Sequence, residues 1–291
     1  MGLAPLRELE EVVSLVTTKL APKIGVEITG LAGRELVDRK AADDCQAALD
    51  QYGVVVYREV HINDDDLVSF SRLLGEVVIP RVNDPGEHPE IAKITLGPAK
   101  SVLAGYRQGN FLWHIDGATD DLPQKGTLLT AHEVDPAGGD TEFANTYAAY
   151  DALSDEDKTH IADLRVVHSF AAAQRIAYPD ATDKQQAEWA RVPPRVHPLV
   201  WTRRSGRRSL LVGATAGEVV GWPADRGREL LDRLLAWSTQ RQFSLRHHWR
   251  RGDLVIWDNT GMLHRALPFQ PTSRRLMHRT TLVGQELVTA A

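Results

Sequence analysis

The stretch DLVIWDNTGMLHRALPF, residues 253–269, sets one short apolar run against another across a Trp-Asp-Asn-Thr-Gly break. Each run is shorter than an ordinary helix, and the residues between them favour turns. It reads as strand, turn, strand. The same grammar recurs in both directions: IAKITLG from 91, FLWHID from 111, GTLLTAHEV from 126, LRVVHSF from 164, HPLVWTR from 197, RSLLVG from 208, FSLRHHW from 243 and RLMHRTTLVG from 275. Only two helical insertions interrupt these runs, SDEDKTHIADL with Ser154 as its N-cap and ADRGRELLDRLLAW from 224. Many short strands without regular helix alternation predict an antiparallel sandwich or jelly-roll barrel, a mainly β fold with flanking helices.

The flanking helices cluster early. Leu6, Leu9, Val12, Val13, Val16 and Leu20 recur at helical spacing up to Pro22. Strands are expected over 24–30 and 54–60, around a helix near 36–50, and DDDLVSFSRLLGE from 64 reads as a further helix whose first carboxylates suit the helix dipole. The expected organisation is one domain over 1–291, with a helix-rich part over about 1–90 and a jelly-roll core over about 91–285 carrying the insertions.

Composition narrows the class. A net charge of -5 argues against general nucleic-acid binding, which needs a basic face to displace counterions. RRSGRR (203–208) and HHWRRGD (247–253) read as solvated turns. The single cysteine, Cys45, can form no internal disulfide and no thiolate zinc site, and it reads as a buried inert thiol. No run of about 18 apolar residues and no signal-peptide pattern occurs, so a cytoplasmic, non-membrane protein is expected. Homo-oligomers are common among soluble enzymes, and a dimer or tetramer is the expectation.

The chemistry gathers at two histidines and an aspartate. If FLWHID is a strand, His114 and Asp116 point to one face, since side chains alternate along a strand. His264, in the second run of the opening stretch, supplies another imidazole. Two imidazoles and one carboxylate form the facial set that holds Fe(II) with open positions. A catalytic zinc accepts the same donors, so a zinc hydrolase stays open, as does a non-catalytic jelly-roll module binding an anion. In the last strand, Arg275, Met277 and Arg279 share a face, with the two guanidiniums about 13 Å apart at roughly 3.3 Å per residue. Buried guanidiniums need anions, and their planar forks suit carboxylates. His88, His132, His168, His197 and His278 read as packed or capping imidazoles.

Together, WHID, AGGDTEF, IWDNTGMLHRA and RRLMHRTTLVG resemble the TauD/TfdA-like Fe(II)- and 2-oxoglutarate-dependent dioxygenases, over about residues 26–285. The resemblance implies a double-stranded β-helix, a variant of the jelly roll. It implies iron on His114, Asp116 and His264, and 2-oxoglutarate as co-substrate with its distal carboxylate on Arg275 and Thr141. It further implies O2 as oxidant, with succinate and CO2 released as a small organic substrate is hydroxylated. Hydroxylation next to sulfur, oxygen or nitrogen can then break that bond. Asn110, Phe170 and Arg279 match substrate-pocket positions of the taurine enzyme. Pro80, Asn83 and Ala216 replace a His, a Tyr and an aromatic wall there, so the resemblance implies a substrate other than taurine, expected to be a bulkier organic anion.

Overall fold

The computed structural model describes residues 16–80, 87–97, 104–270 and 272–290. In chain order the strands are β1 (Val16–Lys19), β2 (Val26–Thr29), β3 (Val54–Tyr57), β4 (Ala92–Ile94), β5 (Gly126–Glu133), β6 (Thr141–Asn145), β7 (Arg165–His168), β8 (Arg195–Pro198), β9 (Val200–Thr202), β10 (Arg208–Leu210), β11 (Ala216–Val219), β12 (Ser244–His247), β13 (Leu254–Asp258), β14 (Met262–Ala266) and β15 (Leu276–Leu282). The helices are α1 (Arg39–Tyr52), α2 (Asp64–Leu74), α3 (Thr146–Asp151), α4 (Asp155–Ile161), α5 (Phe170–Ala177), α6 (Asp183–Trp189) and α7 (Ala224–Ser238).

A seven-stranded sheet, ordered β1-β2-β3-β13-β5-β15-β4, faces a three-stranded sheet ordered β12-β6-β14. Within the large sheet only β2 and β3 run parallel. Between the two sheets lie Val54, Val56, Leu129, Val255, Trp257 and Met277 from one side and Phe143 and Met262 from the other. Alternation along each strand sends these residues inward. The opposite face of the large sheet buries Val55, Tyr57, Leu128, Leu254 and Ile256 under α1 and α2. A third core joins α7 and α3 to β11 and to the segment around Leu199–Leu211. This is the jelly-roll sandwich expected from the sequence, and β13 and β14, joined by the WDN turn, lie in different sheets.

Local signals explain the helix ends. Asn63 caps α2 by accepting from the Asp66 amide at 2.8 Å, ahead of three first-turn aspartates. Asp38 caps α1 in the same way, and α1 ends at Gly53 in the left-handed conformation, φ 73°. Ser154 caps α4 as anticipated.

Three expectations fail: beside α4 and α7, the β-rich part also carries α3, α5 and α6. The opening amphipathic helix lies mostly outside the described residues, and its last part, Val16–Lys19, is instead a strand on β2. FLWHID is not a strand. A 3-10 turn over Ala104–Phe111 leads into it, and only His114 makes a β-bridge, to His264. Gly117, at φ 78°, turns the chain immediately after Asp116. None of the described helices is long and apolar enough to cross a membrane.

Candidate active site

His264 sits on β14, opposite Phe143 of β6, and its ring packs 4.8 Å from the Trp257 ring. His114 joins it through the backbone: each residue's amide donates to the other's carbonyl, at 3.0 and 2.9 Å. The two rings therefore lie 4.2 Å apart. Gly213 makes this approach possible, because a Cβ there would stand 2.8 Å from the Trp113 carbonyl and 3.3 Å from the His114 Cα.

His114 Nδ1 donates to the Leu112 carbonyl at 2.7 Å, so its lone pair is on Nε2. That Nε2 lies 3.7 Å from Asp116 Oδ1, and His264 Nε2 lies 3.6 Å from Asp116 Oδ2. Donors bound about 2.1 Å from one ion sit roughly 3–3.5 Å from one another, so a small inward adjustment closes this set on a cation. One donor atom from each of the three falls within 4.8 Å of the others.

The protonation states suit a cation. Burial, followed by the neighbouring His114, pushes His264 down to about 3, which leaves it a neutral donor at neutral pH. Burial alone would raise Asp116, but the surrounding His264, Arg279 and His114 and the Thr127 hydrogen bond outweigh it and hold the carboxyl down to about 2. With His264 neutral, Arg279, whose Nη1 lies 3.6 Å from Oδ2, is the standing cation. Thr127 donates to Asp116 Oδ2 at 3.2 Å and accepts from the buried Asn259 at 2.8 Å. Neither Thr127 nor Asn259 was singled out as a site residue in the sequence; the polar WDN turn following an apolar strand was the available signal.

The cavity beside this centre is lined by Asn110, Thr141, Trp257, Arg275 and Arg279, among others, and by both histidines. Thr141 opens β6, 4% exposed, and its hydroxyl accepts from the Trp249 indole at 2.9 Å. Arg275 is 2% exposed and lies over the Phe269 ring, 4.9 Å from its centroid. Among the described residues it makes no ion pair, and burial brings its guanidinium down to about 10 despite Asp135 and Asp140 nearby. Gly139 of the GGDT motif, φ 78°, gives it room: a Cβ there would come 2.9 Å from the Arg275 Cδ and Nε.

Phe170 and Ala216 do not line the cavity. Phe170 begins α5, which packs on the 3-10 turn carrying Asn110. Ala216 is fully buried in the core beneath α7, paired with His168. No enlargement of the pocket follows from it. Pro80 is half-buried. Asn83 lies outside the described residues.

The family model of the taurine catabolism dioxygenases, TauD, TfdA family, matches residues 17–281. The chain belongs to this family. The 2,4-dichlorophenoxyacetate dioxygenase of Cupriavidus pinatubonensis (strain JMP 134 / LMG 1197), named as alpha-ketoglutarate-dependent, is 33% identical over 94% of this chain and 100% of its own length. An alpha-ketoglutarate-dependent sulfate ester dioxygenase of Pseudomonas putida is 27% identical over 98% of this chain and 95% of its own. Among solved structures, AAD-2 in complex with Mn(II) and N-oxalylglycine superposes with a TM-score of 0.79 at 30% identity, over 95% of this chain and 100% of that one. The protein is thus a TauD/TfdA-family dioxygenase of the 2-oxoglutarate-dependent kind, acting on a small molecule.

Proposed function

We propose that His114, Asp116 and His264 hold Fe(II), that Arg275 and Thr141 bind the distal carboxylate of 2-oxoglutarate, and that the primary substrate is a small organic anion approached by Arg279 and Asn110. The observation that carries this reading is Arg275: a guanidinium 2% exposed, without an ion pair among the described residues, opening on the same cavity as the His/Asp/His set. A buried cation of that sort is costly until an anion reaches it. Iron bound here would supply activation of O2, with one oxygen passing to succinate and one to the substrate.

The chain's own residues orient and shield. Leu112 fixes the tautomer of His114, and Asn259 and Thr127 fix the Asp116 carboxylate, so the donors need little rearrangement. Trp257 and Leu129 form dry walls on the large-sheet side. Arg279 divides its charge between Asp116 and the cavity, which suits an anion arriving next to the metal. Phe170 belongs to this reading only through its support of the turn bearing Asn110. A zinc hydrolase with the same donors needs a second carboxylate as general base, and none lines the described cavity.

Aryloxy acids and sulfate esters, after the substrates in the relatives' names, come first among the compounds to test. A cytoplasmic location, a single domain and a homo-oligomeric state belong to the same reading. The decisive experiment supplies Fe(II), 2-oxoglutarate and O2 with a panel of aryloxy acids, alkyl sulfates, sulfonates and acyl amino acids, and measures succinate. Release well above the substrate-free background with an aryloxy acid or sulfate ester is expected. Faster turnover of taurine than of either class, or hydrolysis without O2 uptake, would overturn the reading.

A further inference from the structure

β15 has two faces. Arg279 looks into the cavity, whereas His278 and Thr280 look at α2, where the Thr280 and Ser71 hydroxyls are 2.7 Å apart. On the neighbouring strand, Leu276 pairs with Glu133 while Met277 pairs with Ala131, so His132 is the extra residue of a β-bulge. Bulges re-aim a side chain. Here the bulge accompanies a stacked pair, the His132 and His278 rings, 3.8 Å between centroids and tilted by 34°. Asp64, the first residue of α2, faces both: its Oδ1 lies 2.8 Å from His278 Nδ1 and 3.7 Å from His132 Nε2.

Ordinary packing does not account for this group. His132 Nε2 and His278 Nε2 are both buried and neither finds a hydrogen-bond partner. The His278 side chain is 9% exposed. One donor atom from each residue lies within 4.8 Å of the others, the same closeness found at the active centre.

We infer that Asp64, His132 and His278 form a second divalent-cation site, behind the large sheet and separate from the active centre. Two imidazoles with one carboxylate prefer a borderline cation such as Zn2+ to Mg2+ or Ca2+, which favour all-oxygen shells. Three protein donors leave room for a water, and the His88 imidazole, 3.5 Å from Asp65, stands at the edge of the group. The ligands come from α2, β5 and β15, so the ion would clamp the helix to the two strands that wall the cavity.

The test counts Zn2+ bound to chelator-stripped protein by calorimetry and elemental analysis, independently of turnover. Wild type should take up two equivalents, and Asp116→Ala one. Asp116→Ala combined with His132→Gln should take up none. Zn2+ should raise the melting temperature of Asp116→Ala and not that of the double variant. His132 is one-third exposed, so its replacement is tolerable, and the count on His132→Gln alone should fall from two to one. Uptake by Asp116→Ala that persists in the double variant, or a single equivalent in wild type with none in Asp116→Ala, would overturn the proposal.

Discussion

Arg275 and Asn259 show how much one side chain decides at this centre. On the proposed reading, replacing Arg275 with Gln removes a charged partner for 2-oxoglutarate, worth about 1.5–3 kcal/mol. The KM for 2-oxoglutarate should rise on the order of 10- to 100-fold, with a smaller change in kcat at saturation, read by succinate assay. Gly139→Ala should act in the same direction from a distance, since its Cβ would press on Arg275 and its backbone is left-handed. Asn259→Ala leaves Thr127 without its donor, so Asp116 is less firmly aimed. An Fe(II) affinity lowered about 10- to 100-fold is the expected result by equilibrium titration. The convergence of His114, Asp116 and His264, with Arg275 on the adjoining cavity, was legible because few residue types offer metal-ligating or anion-binding groups. The support from Thr127 and Asn259 was not, because a Thr and an Asn are common turn and strand residues whose partners only the tertiary structure brings near.

At the level of elements, strands with strong alternation or dense β-branching stood out, and so did helices with caps. FLWHID misled because its aromatic content mimics a strand. In the structure those aromatics pin a loop: Phe111 stands edge-on to Phe269 at 6.2 Å, and Trp113 lies under Arg265 at 4.6 Å. Helix α6 carries its own sequence signal, the capping box of Thr182 and Gln185 in TDKQ. β13 shows how an element is secured at its entrance. Asp253, fully buried, accepts from Arg58 at 2.8 Å and from the Glu59 and Arg250 amides at 3.0 and 2.9 Å, with His247 Nε2 3.1 Å away. Asp253→Ala leaves the Glu59 and Arg250 amides without an acceptor, while Arg58 keeps Glu27 at 2.6 Å, and should cost about 1–3 kcal/mol, seen as a lower urea midpoint with β13 and β3 losing amide protection first.

For the molecule as a whole, buried histidines set the response to acid. Burial lowers His168 to about 3 and also lowers His247 and His197, so the fold holds them neutral. The unfolded chain protonates them near 6.5, so it binds more protons and stability falls as pH drops below that value. Asp253, lowered in the fold against the effect of burial by His247 and backbone amides, adds a loss in the lowest range as pH falls through its folded value. Metal-free protein should melt at clearly lower temperature at pH 5 than at pH 7.5. In His168→Asn the pH slope should shrink by up to about 1.4 kcal/mol per unit, measured by denaturant titration across that interval. The sandwich itself was legible because turn-punctuated short runs leave few alternatives. The pairing of sheets across it depends on long-range packing that periodicity does not encode.

The paired amides of His114 and His264 join positions far apart along the polypeptide, and that distance has a temporal meaning. During synthesis His114 and Asp116 emerge long before β14 exists to bring the third donor. Closing so large a loop is entropically costly until the late strands dock and repay it. The pocket between them is therefore among the last parts of the molecule to come into being, and a nascent or C-terminally clipped chain holds His114 and Asp116 without His264 to complete the set.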